Sequence, residues 1–188
     1  LYNLVFSTTM FFYVFSDLGA NQAIIYFSSG TLHRDKAKAK AYINYLFKIK
    51  FALSLMSSIV LMALAKIISD SYYNQPIFLA LIAGSLFLFF TGMQSFYLSI
   101  SQSNNNFRNP LIKEVFFQVS RIILIPVILL YISSLELSSS SLVLAIFLIL
   151  GAISVLSMSL ILFLSSRDIG LNSIKAARLN SKEKRRIK

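Results

Sequence analysis

The chain reads as long apolar runs separated by short polar stretches. A helix that crosses the hydrocarbon core of a bilayer needs about 20 apolar residues. The runs Leu4–Phe27, Ile49–Ile68, Pro76–Leu98, Leu111–Ile132 and Leu142–Leu164 meet that length. They are too long for β-strands and do not alternate polar with apolar, which excludes a transmembrane barrel. The stretches between them read as loops. Residues 28–40 carry Gly30 and many charges, and 69–75 are short and polar. Residues 101–110 hold Asn104-Asn105-Asn106 and then Arg108-Asn109-Pro110, and 133–141 are serine-rich. The pattern predicts an all-α integral membrane protein with about five transmembrane helices over 1–164. A basic linker or interfacial helix follows over 165–188.

Composition supports that class. Charged residues make up 13% of the 188, against a soluble norm of roughly 25%. Mean hydropathy is +0.72. The net charge of +11 would suggest a nucleic-acid partner in a soluble chain. Here the cations crowd beside apolar runs, so the expected partner is the lipid bilayer and not nucleic acid. Arg34, Lys36, Lys38, Lys40, Lys48, Lys50, Arg108, Lys113 and eight tail cations fall at one set of span ends. The loops 69–75 and 133–141 have no Lys or Arg. The positive-inside rule then places the tail in the cytoplasm and Leu1 outside, in a multi-pass protein of the cytoplasmic membrane. A chain that starts outside without a signal sequence implies one further span upstream, so a fragment is expected.

Two polar groups inside the apolar runs are candidate functional residues. In the first run, Asn3, Ser7, Asp17, Asn21 and Ser28 share one face of a continuous helix. Two readings of Asp17 are open. Ser16-Asp17 caps a helix restart while Gly19 permits close packing, or Asp17 and Asn21 line a cavity or a coupling-ion site. In the fourth run, Glu114, Gln118, Arg121 and Ile125 share a face. Arg121 falls near the middle of its run and needs a partner or water. Asp17 is the carboxylate at similar depth, so an Asp17–Arg121 pair is the simplest arrangement. Pro126 predicts a kink one turn beyond Arg121. Thr91, Gln94 and Ser95 read mainly as helix packing, and Gly151, Ser154, Ser157 and Ser159 more so.

No cysteine is present, and the one histidine, His33, has no nucleophile or carboxylate cluster beside it. No phosphate loop, zinc motif or nucleophile elbow occurs. The expectation is therefore no enzyme activity, no catalytic residue and no metal or cofactor. A proton or sodium ion as coupling ion stays open.

Tyr2-Asn3-Leu4, followed by a span that leads to Asp17-Leu18-Gly19 and Ala23, resembles the polysaccharide-transporter family. This is the O-antigen and capsule flippase branch of the multidrug/oligosaccharidyl-lipid/polysaccharide exporter superfamily. Tyr72-Tyr73-Asn74 before a span, Ser101-Gln102-Ser103 followed by Asn106-Phe107, and Glu114 with Arg121 extend the resemblance over nearly the whole chain. Order and spacing carry it more than any single motif, and Ser103 stands where a glycine is common. The resemblance implies most of one bundle of a two-bundle exporter. That exporter flips a polyprenyl-linked oligosaccharide across the membrane by alternating access. It also implies a second half elsewhere in the same reading frame, and Asp17, Asn21, Glu114, Gln118 and Arg121 as substrate-cavity candidates. The alternatives are a drug or metabolite antiporter of the same superfamily with Asp17 as ion site, a membrane-embedded glycan polymerase or glycosyltransferase, and a purely structural membrane subunit.

Overall fold

The computed structural model describes residues 1–32, 36–103, 107–133 and 139–169. Residues 33–35, which include His33, 104–106, 134–138 and 170–188 lie outside them, with the predictions that fall there. All regular structure among the described residues is helical: α1 Tyr2–Asp17, α2 Ala20–Leu32, α3 Lys36–Ile67, α4 Phe78–Ser103, α5 Arg108–Ser133 and α6 Ser139–Ile169. A π-helical turn, Ile68–Tyr73, extends α3. Three helical stretches are long and apolar enough to cross a membrane: Ala41–Tyr73, Phe78–Ser103 and Ser139–Phe163.

Two boundaries correct the sequence reading. The first run is not one helix. α1 ends at Leu18, which adopts a left-handed conformation (φ 38°), and Gly19 follows at φ 80°. The chain restarts as α2, with the Ala23 N–H on the Gly19 carbonyl. A break changes the helical phase, so the polar face drawn from Asn3 to Ser28 does not exist as one face. Asn3 and Ser7 are exposed, whereas Ser16 is buried. The second correction concerns α3, which begins at Lys36 rather than Ile49. Its first turns, Lys36-Ala37-Lys38-Ala39-Lys40-Ala41, consist of strong helix formers, so the expected loop over 28–40 is largely helix. The 32 residues of α3 span about 48 Å. α5 runs helically through Pro126.

α4 is the centre of the bundle and packs against every other helix. Two glycines make this close approach workable. A Cβ on Gly84 would lie 2.6 Å from Thr9 Oγ1, and one on Gly92 would lie 2.6 Å from Ser16 Oγ and 2.8 Å from Ser54 Oγ. Small residues at these crossings let the backbones meet where lipid-like surroundings supply no hydrophobic drive. Gly19 has a different role. Nothing lies within 4 Å of its Cβ direction, so it serves the positive φ of the break and not packing.

The apolar interior is split in two. One cluster gathers Val5 of α1, Leu61 and Ala65 of α3, Leu81 and Leu88 of α4, and Phe147 and Leu150 of α6. The other gathers Ile24 of α2, Ile43 and Leu46 of α3, and Phe96 and Ile100 of α4. Along α3 and α4 the polar and small residues between the clusters include Lys50, Ser54, Gly92, Gln94 and Ser95, with the apolar Met93 buried among them. A polar layer therefore crosses the bundle between two apolar ones. The outward face of α3, with Met56, Ile59, Met62 and Ile67, is apolar and exposed. Such a face suits lipid better than water.

The two glycines should respond differently to substitution. Gly92→Val should force α4 away from α1 and α3 and lower stability by about 1–3 kcal/mol, the range for overpacking. Gly19→Ala should cost about 1 kcal/mol through backbone strain alone. Thermal unfolding in detergent, followed by size-exclusion chromatography, measures both. Equal tolerance of the two changes would contradict this assignment of roles.

Candidate functional site in the polar layer

The broken helix builds the site. Ending α1 at Asp17 leaves that carboxylate on the last residue of a half-helix, facing α3. There the Lys50 Nζ donates to Asp17 Oδ1 at 2.8 Å. The Lys50 side chain is fully buried and that of Asp17 is 31% exposed. Beside the pair, the Ser16 and Ser54 hydroxyls share a hydrogen bond of 2.9 Å, again between α1 and α3. At the start of α2, Asn21 Nδ2 donates to Ser95 Oγ of α4 at 3.1 Å. On the far side of α4, Gln94 donates to Ser157 of α6. Five helices, α1, α2, α3, α4 and α6, thus meet through side-chain polar contacts in one layer.

The layer is not fully satisfied. Asn21 Oδ1, Thr91 Oγ1 and Ser154 Oγ are buried without a hydrogen-bond partner. Most other hydroxyls along these helices bond the carbonyl three or four residues earlier, as Thr9 does to Val5 and Ser99 to Ser95. That is how serine and threonine are accommodated in apolar helices. The packing role read for Gln94 and Ser157 agrees with their contact.

The sequence candidates divide into two places. Asp17 and Asn21 lie together in the polar layer. Glu114, Gln118 and Arg121 do not join them. Gln118 Nε2 donates to Glu114 Oε1 at 2.8 Å, and Lys113 Nζ donates to Glu114 Oε2 at 3.0 Å, all on α5. The Lys113 ammonium also sits 4.9 Å from the Phe117 ring centre, a favourable cation–π placement. Gln118, Arg121 and Ile125 share a face, as their spacing predicts, and line a groove of about 520 Å³ with Tyr2 and Ile146. No ion pair or hydrogen bond joins Arg121 to another described residue.

The expected Asp17–Arg121 pair is therefore replaced by Asp17–Lys50. The reason is geometric. Arg121 lies beside Tyr2, at the opposite end of α1 from Asp17, and those 15 steps of helix separate them by about 22 Å. Lys50 escaped notice because a span starting at Ile49 puts it at the mouth. With α3 starting at Lys36 it is well inside. The spacing Lys50, Ser54, Ser57, Ser58, Leu61 was the available signal, since it marks an inward face at helical period.

No protein-family model, curated protein or solved structure matches this chain.

Removing one partner of a buried ion pair leaves the other uncompensated, at about 3–5 kcal/mol, and the partial exposure of Asp17 favours the lower end. Asp17→Asn and Lys50→Met should each lower the amount of folded protein in the membrane, and the double variant should recover it. Arg121→Gln should leave the amount unchanged. Fluorescence-detected chromatography of all four reads this out. A double variant no better than its worse parent would remove the pair from the stability of the bundle.

Proposed function

We propose that this chain belongs to a membrane transporter that moves a lipid-linked oligosaccharide across the cytoplasmic membrane by alternating access, as most of one helical bundle. Its amino end faces outward, its basic tail faces the cytoplasm, and five spans cross the bilayer, with α1 and α2 as the two halves of the first. The observation that carries this reading is the polar layer with its Asp17–Lys50 pair at a broken helix, set between two apolar clusters. Ionisable groups inside membrane helices are costly and commonly mark transport paths. Discontinuous helices are a recurrent way for transporters to build a site near the midplane. Arg121, in its groove with Gln118, is the candidate contact for the substrate's phosphate or acidic sugars, because a guanidinium pairs with such groups bidentately.

A second reading, a drug antiporter, is favoured by one feature. Phe12, Phe15, Leu18, Leu53, Met56 and Val60 line an apolar groove of about 370 Å³ between α1 and α3. Aromatic rings in such a groove suit a lipophilic cation.

The test uses proteoliposomes holding the complete reading frame and a fluorescent polyprenyl-linked oligosaccharide. Flipping should be present, and it should fall strongly in Arg121→Gln at normal protein amount. The 188-residue chain alone should insert but not transport, because a rocking bundle needs its counterpart. Export of ethidium-like cations without glycan flipping would move the assignment to the antiporter.

Orientation has its own check. Cysteines placed at Ser71 and Ser139 should react with an impermeant thiol reagent in intact cells, and cysteines at Ser29 and Ser173 should not. The reverse pattern inverts the topology.

A further inference from the structure

Arg121 has no ion pair or hydrogen bond among the described residues. It falls at the middle of α5, about 18–20 Å of helix from either end. A charged group at that depth needs a partner or water. The carboxylates of the described helices do not serve. Asp17 is held by Lys50, and Glu114 by Lys113 and Gln118. Asp70 and Asp168 fall in the last turns of their spans. Lipid phosphates do not serve either, because the hydrocarbon core is about 30 Å thick and keeps them about 15 Å from its centre.

The face beside Arg121 has the pattern of a packing seam. Leu111, Val115, Gln118, Ile122 and Ile125 follow one another at steps of four, three, four and three, a heptad spacing. Helices with that spacing cross at about +20°, as most helices of membrane bundles do. Yet Leu111 is 63% exposed, Val115 54% and Ile122 69%, and Gln118 is exposed as well. Of the five, only Ile125 packs against the core. Glu114 and Arg121 flank the seam one heptad apart, where partner helices exchange salt bridges. Glu114 is neutralised along its own helix and Arg121 is not. Beside Arg121 runs the groove of about 520 Å³ that Tyr2 and Ile146 also line.

A second copy of this chain does not fit the seam. Two copies inserted the same way would pair in parallel, where a flanking residue meets the one five positions on in its partner. Arg121 would face Pro126, and Glu114 would face Val119. Neither contact neutralises the guanidinium.

We propose that the Leu111–Ile125 seam of α5 docks a membrane-spanning helix of different sequence that carries a carboxylate at the depth of Arg121. The seam supplies the packing, and the guanidinium–carboxylate pair sets register and partner. Lipid chains cover apolar side chains but bring no anion to this depth. The inference goes beyond the transport reading and does not depend on it. One guanidinium holds one bidentate partner at a time, so a substrate phosphate would have to displace the carboxylate.

The experiment uses the 188-residue chain with a donor dye in nanodiscs of zwitterionic lipid. Synthetic leucine–alanine membrane-spanning peptides carry the acceptor dye and a central glutamate, glutamine or leucine. A central position keeps the same depth in either orientation. The glutamate peptide should bind saturably and about tenfold tighter than the other two. Arg121→Gln should lose that preference with its thermal unfolding unchanged. Ile122→Ala should weaken binding of the glutamate peptide several-fold, again without changing the unfolding of the chain alone. Equal binding of the glutamate and glutamine peptides, or a preference that survives Arg121→Gln, would overturn the proposal and leave water at Arg121. Loss of the preference in nanodiscs of anionic lipid would overturn it too and make a phospholipid headgroup the occupant. Absence of glycan flipping with the glutamate preference intact would remove the substrate reading and leave the interface standing.

Discussion

A lysine ammonium buried in an apolar helical bundle has to be neutralised, and the rest of this structure follows from how that is done. Lys50 has no exposed surface and sits 2.8 Å from Asp17. To bring the carboxylate there, α1 stops at Asp17 and the chain turns through a left-handed Leu18 and Gly19. A leucine in that conformation is disfavoured by about 1–3 kcal/mol. The ion pair and the Ser16–Ser54 contact hold the turn from α3, and the Asn21–Ser95 contact holds it from α4.

The same constraint explains why α4 is built as it is. A helix in contact with both halves of a broken neighbour and with α3 has to approach closely, and Gly92 lies where the Ser16 and Ser54 hydroxyls meet. Farther along, Gly84 admits Thr9. Between and beside these glycines, Thr91 and Ser95 share one face of the helix and Gln94 lies next to them, bonding α6. α4 thus carries both the packing and the polar contacts without any charge of its own.

The layered interior also separates two kinds of polar residue that look alike in a sequence. Asp17, Asn21 and Lys50 tie helices to one another. Glu114 and Gln118 bond along one helix, and Arg121 faces a groove. The first group bears on the stability of the bundle. The second bonds within one helix or faces a groove, so substitution there is expected to leave the packing of the bundle intact.

Helical class and the presence of membrane-length helices were legible in the sequence, because a hydrophobic run reports its own length and period whatever surrounds it. The stretches around Pro76–Leu98 and Leu142–Leu164 were placed to within a few residues for that reason. The shared face of Gln118, Arg121 and Ile125 was legible too, since it depends on spacing within one unbroken helix. The break at Leu18 was not. Leu18-Gly19 can continue a helix or end one, and the choice is made by contacts with α3 and α4 that no local pattern encodes. Once the break exists, phase is lost, so Asp17 and Asn21 are related through tertiary contacts and not through a common helical face. Partner choice was equally hidden. Asp17 had one cation, Arg121, at apparently suitable depth, and only the position of α3 along the bundle, set by helix-forming residues upstream of its apolar run, brought Lys50 to the carboxylate, while Arg121 lies at the other end of α1.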